Sequence, residues 1–407
     1  MSLPTNEIPT DTCIDILTRL PDAATVARCR CVCKSWSSLL SDPSFILKIL
    51  LSSDGGGGGD RVVMMLALMR DRHLRYSLYS PETFTLLSSS SSAAVIPLAW
   101  PPHPVGCLPP CDPFRLVGHS NGIFCLTDGK TLTSDFYLWN PTTSETKLLR
   151  RAPLYLPRQQ RGKYLWACMF GFDPESNDFK VVRISTVRSS TDLRFTEVYS
   201  LRNDSWSQGY KKDKMNHRRR CLNRILESRD GKCYRWECDR IGGGGGMRIL
   251  CYDLAKDALS LVRLTIPWKK LGDCWFVKSV SFCKGFLVAI YGCSRARSSD
   301  DPVYEVWALM EFGDARSWTK VADVPQTGDF SADYCSPFVT WGNNKCFFQG
   351  KILMAPGNDT EEEVAVVVFD LKTKETGFIR DVEIYRHELN PSVISYVPSK
   401  TSLSNLD

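Results

Sequence analysis

Six times along this 407-residue chain an apolar run ends in an aromatic residue, a small or polar residue, and a turn rich in Pro, Asp, Asn or Thr. The segments are SLYSPET from Ser77, YLWNPTT from Tyr137, EVYSLRNDSW from Glu197, LCYDLAKD from Leu250, EVWALMEFGDARSW from Glu305 and VVFDLKTKE from Val367. Their aromatics, Tyr79, Trp139, Tyr199, Tyr252, Trp307 and Phe369, stand 60, 60, 53, 55 and 62 residues apart. A second element, glycine leading into an apolar run, recurs between some of them: GHSNGIFCL from Gly118, KGFLVAIYG from Lys284 and GKILM from Gly350. Two hairpins per period make four strands per unit.

A four-stranded unit of this kind cannot cover both faces of its own sheet, so successive units must stack. The period is slightly longer than the kelch repeat of about 50 residues, and radial stacking of such units gives a β-propeller. Six units are visible, and PSVISYVPS, Pro391 to Ser399, is placed to complete the first of them. A pair of packed sandwiches is the competing architecture, but it does not demand so regular a spacing.

The first fifty residues obey a different period. In IPTDTCIDILTRLPDAATVAR the apolar residues Cys13, Ile14, Ile16, Leu17 and Leu20 recur at helical spacing, with Thr10 as cap, Asp11 at the positive helix end and Pro21 as stop. A second helix is expected from about Asp22 to Leu40, with SDP ending it before Pro43. On one such helix Cys29, Val32, Cys33, Trp36 and Leu40 would share a face and Cys31 would point elsewhere. Some forty residues are too few for a well-filled core, so the apolar faces need a partner.

The order Ile8-Pro9, Ile16-Leu17, Leu20-Pro21 and CRCVCKSWSSLLSDPSF, Cys29 to Phe45, resembles the F-box. In that family the helices interlock with a Skp-type adaptor, which connects them to a cullin scaffold. The resemblance implies that Ile8, Pro9, Ile14, Leu17, Leu20, Pro21, Val32 and Trp36 contribute to the adaptor surface. Ile8 stands where the family usually has leucine, and Thr12 and the DAAT turn put small or polar residues where relatives often carry larger aliphatic ones. Further along, GHSNGIFCL, LWNPTT, FGFDPESNDFKVVRIS from Phe170 and EVYSLRNDSWS resemble the F-box-associated domain of plant F-box proteins, including the S-locus type. Gly118, Gly122, Asn140-Pro141 and Asp173-Pro174 read as strand entries and turns within it.

The expected fold is therefore α+β and multidomain. A small all-α F-box module at 1–50 is followed by a Gly-rich linker at 51–60, an all-β kelch-like propeller of about six blades at 61–400 and a tail at 401–407. The five-glycine runs at 55–59 and 242–246 and the serine run at 88–92 read as flexible connectors. The first is no phosphate loop, because no lysine followed by Ser or Thr completes it. KKDKMNHRRR, Lys211 to Arg220, reads as a solvated loop, with nuclear import as the rival.

Chemistry is sparse. Seventeen cysteines form an odd set without framework spacing, and no C-x-x-C occurs, which argues for free thiols in a reduced compartment and against zinc. His73, His103, His119, His217 and His387 are isolated in sequence, and no cysteine sits in an activating site beside one. Asp173, Glu175 and Asp178 cluster in what reads as a turn, DPESND, rather than a hydrolytic pair. A net charge of +6 is too mild to imply nucleic acid. Glu7, Asp11 and Asp15 occupy the place of a basic signal-peptide start, and Val62 to Met69, the longest apolar stretch, is too short to span a bilayer.

The resemblance implies a non-catalytic, cofactor-free substrate receptor of an SCF ubiquitin ligase, in cytoplasm or nucleus. The propeller would bind a target protein through residues the sequence does not single out. The alternatives are a propeller interaction protein acting outside degradation and a carbohydrate-binding propeller.

Overall fold

The computed structural model describes residues 10–20, 23–51, 62–68, 74–79, 96–97, 115–127, 135–151, 164–187, 194–211, 221–239, 247–264, 275–283, 285–293, 302–312, 314–325, 336–339, 345–352, 363–379, 392–396 and 399–403. Ile8, Pro9, Pro21, both five-glycine runs, the serine run, Lys212 to Arg220 and every histidine but His119 lie outside them.

Four helices come first: α1 (Thr10–Thr18), α2 (Ala23–Arg30), α3 (Lys34–Leu39) and α4 (Pro43–Leu51). The strands follow. The first group is β1 (Val62–Leu68), β2 (Leu74–Tyr79) and β3 (Ile96–Pro97). The second is β4 (Arg115–Ser120), β5 (Ile123–Thr127), β6 (Phe136–Asn140) and β7 (Glu145–Leu148). The third is β8 (Tyr164–Asp173), β9 (Asp178–Val187), β10 (Arg194–Ser200) and β11 (Ser205–Lys211). The fourth is β12 (Cys221–Arg229), β13 (Lys232–Asp239), β14 (Met247–Asp253) and β15 (Ala258–Leu264). The fifth is β16 (Trp275–Cys283), β17 (Phe286–Cys293), β18 (Pro302–Leu309) and β19 (Trp318–Pro325). Last come β20 (Ser336–Val339), β21 (Lys345–Ile352), β22 (Glu363–Asp370), β23 (Thr376–Ile379) and β24 (Ser392–Tyr396).

Each group forms a four-stranded sheet in chain order, and β24 supplies the fourth strand of the first sheet, in the order β24-β1-β2-β3. Among the described residues six four-stranded sheets follow the helical module in the chain, the repeat of a propeller, with the C-terminal strand completing the first sheet.

The rhythm of the sequence has a local cause. In the second, third, fourth and sixth sheets the third and fourth strands are joined by four-residue loops, with Asn140 opposite Glu145, Ser200 opposite Ser205, Asp253 opposite Ala258, and Asp370 N donating to the Glu375 carbonyl at 2.9 Å. Five residues after each aromatic the backbone turns left-handed, at Ser144, Asp204, Asp257 and Lys374 with φ of 58°, 44°, 51° and 63°. The polar residue after the aromatic holds the turn: Asn140 Oδ1 accepts from Thr142 N at 2.9 Å, Asp253 Oδ1 from Lys256 N at 3.0 Å and Asp370 Oδ1 from Lys372 N at 2.8 Å. The next residue, Leu201, Leu254 or Leu371, plugs the sheet end and is buried. At the other turn of the blade, Asn121-Gly122 and Asp230-Gly231 supply two consecutive left-handed residues, as a two-residue hairpin requires.

Gly118 serves a different purpose from the strand entry expected for it. A Cβ there would lie 3.2 Å from the Phe170 backbone oxygen, so glycine lets β4 approach β8.

The second, third and fourth sheets and the C-terminal segment belong to one packed unit, the helices and the fifth and sixth sheets to another. Within the former, strand alternation divides the third sheet cleanly. Cys168, Phe170, Phe179, Val181 and Tyr199 join a core with Ile123, Phe136 and Leu138, whereas Met169, Val182, Ile184 and Val198 join one with Cys233, Tyr252 and Leu254. Asn140 Nδ2 donates to the Ser399 and Thr401 carbonyls, and Leu403 enters the first of these cores, so the residues at 399–403 are pinned to the second sheet.

In the helical unit one continuous core takes Leu17, Leu20, Val26, Leu40, Phe45, Ile46 and Ile49 from the helices and Val288, Ile290, Val306, Ala308 and Val324 from the fifth sheet. A connector had been expected to keep these parts separate. The helices instead bury one flank against β-structure, as so small a module must if its apolar side is to leave water.

Gly171→Ala tests the tightness of the third sheet. The added Cβ would sit 2.1 Å from Ser228 Oγ and 2.7 Å from Cys233 Sγ, so urea denaturation should show a loss of about 1–3 kcal/mol. Ser228→Ala should recover part of it.

His119 gives a pH signature: burial lowers it to about 4, below its ordinary 6.5, while its ring stacks on Phe124 at 5.5 Å. Between those values the unfolded chain binds the proton more readily, so this contribution declines as pH falls from 6.5 towards 4 and is constant above. In thermal melts, the wild-type minus His119→Phe difference should decline over that window; a flat difference contradicts it.

Candidate functional site

The helical module has two flanks. α1 is short because nothing continues it beyond Thr18: Arg19 N and Leu20 N close the last turn on the Ile16 and Leu17 carbonyls. An exposed Arg19–Asp15 pair at 2.8 Å sits along it, of the i,i+4 type worth only a few tenths of a kcal/mol. Leu17 and Leu20 are buried in the core shared with the fifth sheet, and Ile14 is half-buried against it. Ile16 points away and is 49% exposed.

The single helix expected from Asp22 to Leu40 is in fact two. α2 ends at Arg30, Cys31 N and Val32 N bond the Arg28 and Cys29 carbonyls, and Cys33 adopts an extended conformation, φ −157° and ψ 166°, as the cap of α3. Its Sγ accepts from Trp36 N at 3.5 Å. The break means that Cys29, Val32, Cys33, Trp36 and Leu40 do not share one face: Leu40 is fully buried, Val32 is 63% exposed, and Trp36 is half-buried against the core.

SDP likewise starts a helix rather than merely ending one. Asp42 Oδ1 accepts from Ser44 N at 2.9 Å and Phe45 N at 3.1 Å, Pro43 occupies the first helical position, and α4 directs Phe45, Ile46 and Ile49 into the core. Hydrogen bonds from the Ser44 side chain and the Phe45 backbone hold the Asp42 carboxyl below its usual range. A cap followed by proline was the available signal for α4.

The fifth sheet receives this module at a hairpin that departs from the repeat. Leu309 pairs with Trp318, leaving an eight-residue loop where the second, third, fourth and sixth sheets have four. The loop carries Glu311, which accepts from Arg30 Nη1 at 2.9 Å, and a 3-10 turn, Ala315–Ser317, capped by Asp314. α4 packs on β19 beneath it.

Of the residues expected at the adaptor surface, then, Leu17 and Leu20 face inward, Ile14 and Trp36 lie at the edge, and Val32 is open. Ile8, Pro9 and Pro21 lie outside the described residues. Sequence reasoning left out Ile16, although Cys13 and Ile16 form an i,i+3 stripe distinct from Ile14 and Leu17.

The Asp173 and Asp178 carboxylates of DPESND make turn bonds. Asp173 accepts from Glu175 N, Ser176 Oγ and Lys180 Nζ, the last at 2.7 Å. Burial works to raise its pKa, but Lys180 and the other donors outweigh this and leave it low. Asp178 accepts from Ser200 Oγ and Arg202 N. Burial pushes the thiols of Cys168 and Cys233 up to about 12, far from a reactive range. Among the described residues no group of three His, Cys, Asp or Glu is gathered to hold a metal ion, and no helix is long and apolar enough to cross a membrane.

Comparison with known proteins places these two parts. The F-box associated beta propeller domain family matches residues 104–403, nearly three quarters of the chain, and the F-box-like family matches residues 5–52. The chain belongs to the F-box associated β-propeller family. The F-box protein CPR1 of Arabidopsis thaliana is 26% identical over 395 residues, covering 92% of this chain and 84% of its own. An F-box/kelch-repeat protein of the same plant is 23% identical over 337 residues, 80% of this chain and 81% of that one. Among solved structures, TolB from Acinetobacter baumannii overlaps 86% of this chain and 70% of its own at 12% identity, with a TM-score of 0.41. The N-terminal helices are thus an F-box-like segment, and the strands from β4 onward fall within the F-box associated propeller match.

The shared core makes a prediction about its members. Ile46→Ala should cost about 2–5 kcal/mol in denaturant unfolding, whereas Glu311→Ala, which removes a half-exposed partner, should cost under about 1 kcal/mol.

Proposed function

We propose that this protein is the substrate-recognition subunit of an SCF ubiquitin-protein ligase. Residues 1–50 engage a Skp-type adaptor and through it a cullin scaffold, while the propeller at 61–400 holds a target protein for ubiquitination and proteasomal degradation. The chain itself is non-catalytic, works in cytoplasm or nucleus, and acts by raising the concentration of target lysines near a charged conjugating enzyme.

One observation carries the reading. The F-box-like helices bury Leu17, Leu20 and Ile46 on one side yet leave Ile16 and Val32 in water on others, at 49% and 63% exposure. A module that sealed all its apolar residues against its own chain would have none to offer a partner. The buried carboxylates and thiols, tied up in turns and cores, support the non-catalytic half.

Purified chain should retain a Skp-type adaptor in a pull-down. The double variant Ile16→Glu/Val32→Glu should reduce retention at least tenfold, about 1.4 kcal/mol, with an unchanged melting temperature. Leu17→Ala should instead lower stability by about 2–5 kcal/mol, because that side chain is core. An intact wild-type chain that recovers no adaptor ends the proposal.

A further inference from the structure

The nine cysteines whose side chains are described divide sharply by environment. Cys125, Cys168, Cys233, Cys251 and Cys283, all in the sheets, are buried; Cys13 and Cys29 of the helical module are half-buried; Cys31 and Cys33 are exposed. The exposed pair brackets Val32, the most exposed large apolar side chain among the described residues. Exposed Arg28 and Lys34 flank the same short run. Each thiol also has a structural attachment. Cys31 Sγ donates to the Ala27 carbonyl at 3.5 Å on the last turn of α2, and Cys33 Sγ accepts the Trp36 N–H that caps α3.

From this juxtaposition we infer that Cys31 and Cys33 form a reversible thiol-modification site, taking an anionic low-molecular-weight disulfide such as glutathione disulfide, and that the adduct closes the adaptor surface. The inference rests on the adaptor reading of Val32.

The chemistry is thiol–disulfide exchange. The cysteine loses its proton to solvent, the thiolate attacks one sulfur of the disulfide, and a new S–S bond forms as the old one breaks. The departing glutathione thiolate takes up a proton. The protein sulfur is oxidised, the departing glutathione sulfur is reduced, and no further oxidant is needed. Basic Arg28 and Lys34 favour approach of a reagent that is itself an anion.

The two sites act differently on one surface. An adduct on Cys31 sets a tripeptide with two carboxylates beside Val32, where a partner would otherwise bury apolar area. An adduct on Cys33 engages the sulfur that accepts the Trp36 N–H, loosening the start of a six-residue helix whose Trp36 lies against the core. Cys125, Cys168, Cys233, Cys251 and Cys283 are buried and out of reach.

The experiment treats the full chain with glutathione disulfide at neutral pH, maps adducts by peptide mass spectrometry, and measures adaptor retention before and after. Adducts are expected on Cys31 and Cys33, with retention lowered at least tenfold and restored by a thiol reductant. Cys31→Ser/Cys33→Ser, which keeps an oxygen acceptor for the α3 cap, should bind the adaptor as wild type does and resist treatment. The inference is overturned if any other cysteine takes the adduct while this pair stays free, if the modified chain binds undiminished, or if the double variant is inhibited equally. An untreated chain that never retains adaptor removes the adaptor reading and the switch with it, while the adduct map, made on the free chain, still decides whether the pair is the reactive site.

Discussion

A side chain that closes its own turn sets the architecture of this protein. Where a third strand meets a fourth, the residue after the aromatic takes a backbone N–H of the loop, and the residue five after the aromatic goes left-handed. In two blades an aspartate at that last position adds a second bond: Asp204 and Asp257 tolerate the left-handed conformation and accept from the Tyr199 and Tyr252 hydroxyls. Each such clamp fixes the register of its hairpin, and register decides which side chains face which neighbouring sheet. A slip of one residue in β10 would exchange Val198 with Tyr199 between two cores.

The same repeat position tolerates charge when it brings a partner. Glu197 and Glu305 each stand two residues before the blade aromatic, and each meets a cation from a neighbouring strand: Arg183 at 2.6 Å and Lys320 at 2.8 Å. Arg183 and Glu197 are both only 3% exposed, and the guanidinium also lies over the Trp206 ring at 5.3 Å. Such a pair adds little net stability compared with well-packed hydrophobic residues, but losing one partner would strand a buried charge. Its effect is to penalise any arrangement that separates β9 from β10.

Much of this was legible. The aromatic spacing marked the units because in the second, third, fourth and sixth sheets the aromatic sits at the same place in a hairpin whose loop chemistry is written in adjacent residues. The same holds for DPESND, where short carboxylates next to Pro and Ser have turn bonds within reach. The helical module was less legible, for two reasons. Cys33 is a weak cap by composition, so the apolar period ran through it and concealed the break between α2 and α3. Which flank of an amphipathic module meets its own chain depends on long-range packing, and nothing in the local sequence separates the buried Leu17 from the exposed Ile16 beside it. Arg30 and Glu311, 281 residues apart, leave no local trace either.

The departure from the repeat in the fifth blade has a consequence for geometry. Four residues in the hairpin loop would have left no room for both Glu311 and the 3-10 turn; the longer loop carries the acid that Arg30 reaches, while α4 lies on β19. Helices of six to nine residues do not hold their shape alone in water. The fifth sheet therefore acts as their template, and the apolar flank it buries determines which flank stays open. On the proposed function, an adaptor covering Ile16 and Val32 would be held at a set orientation to that blade rather than at the end of a loose tether. For a receptor that works by proximity, a fixed orientation raises the effective concentration at one position instead of spreading it over a sphere.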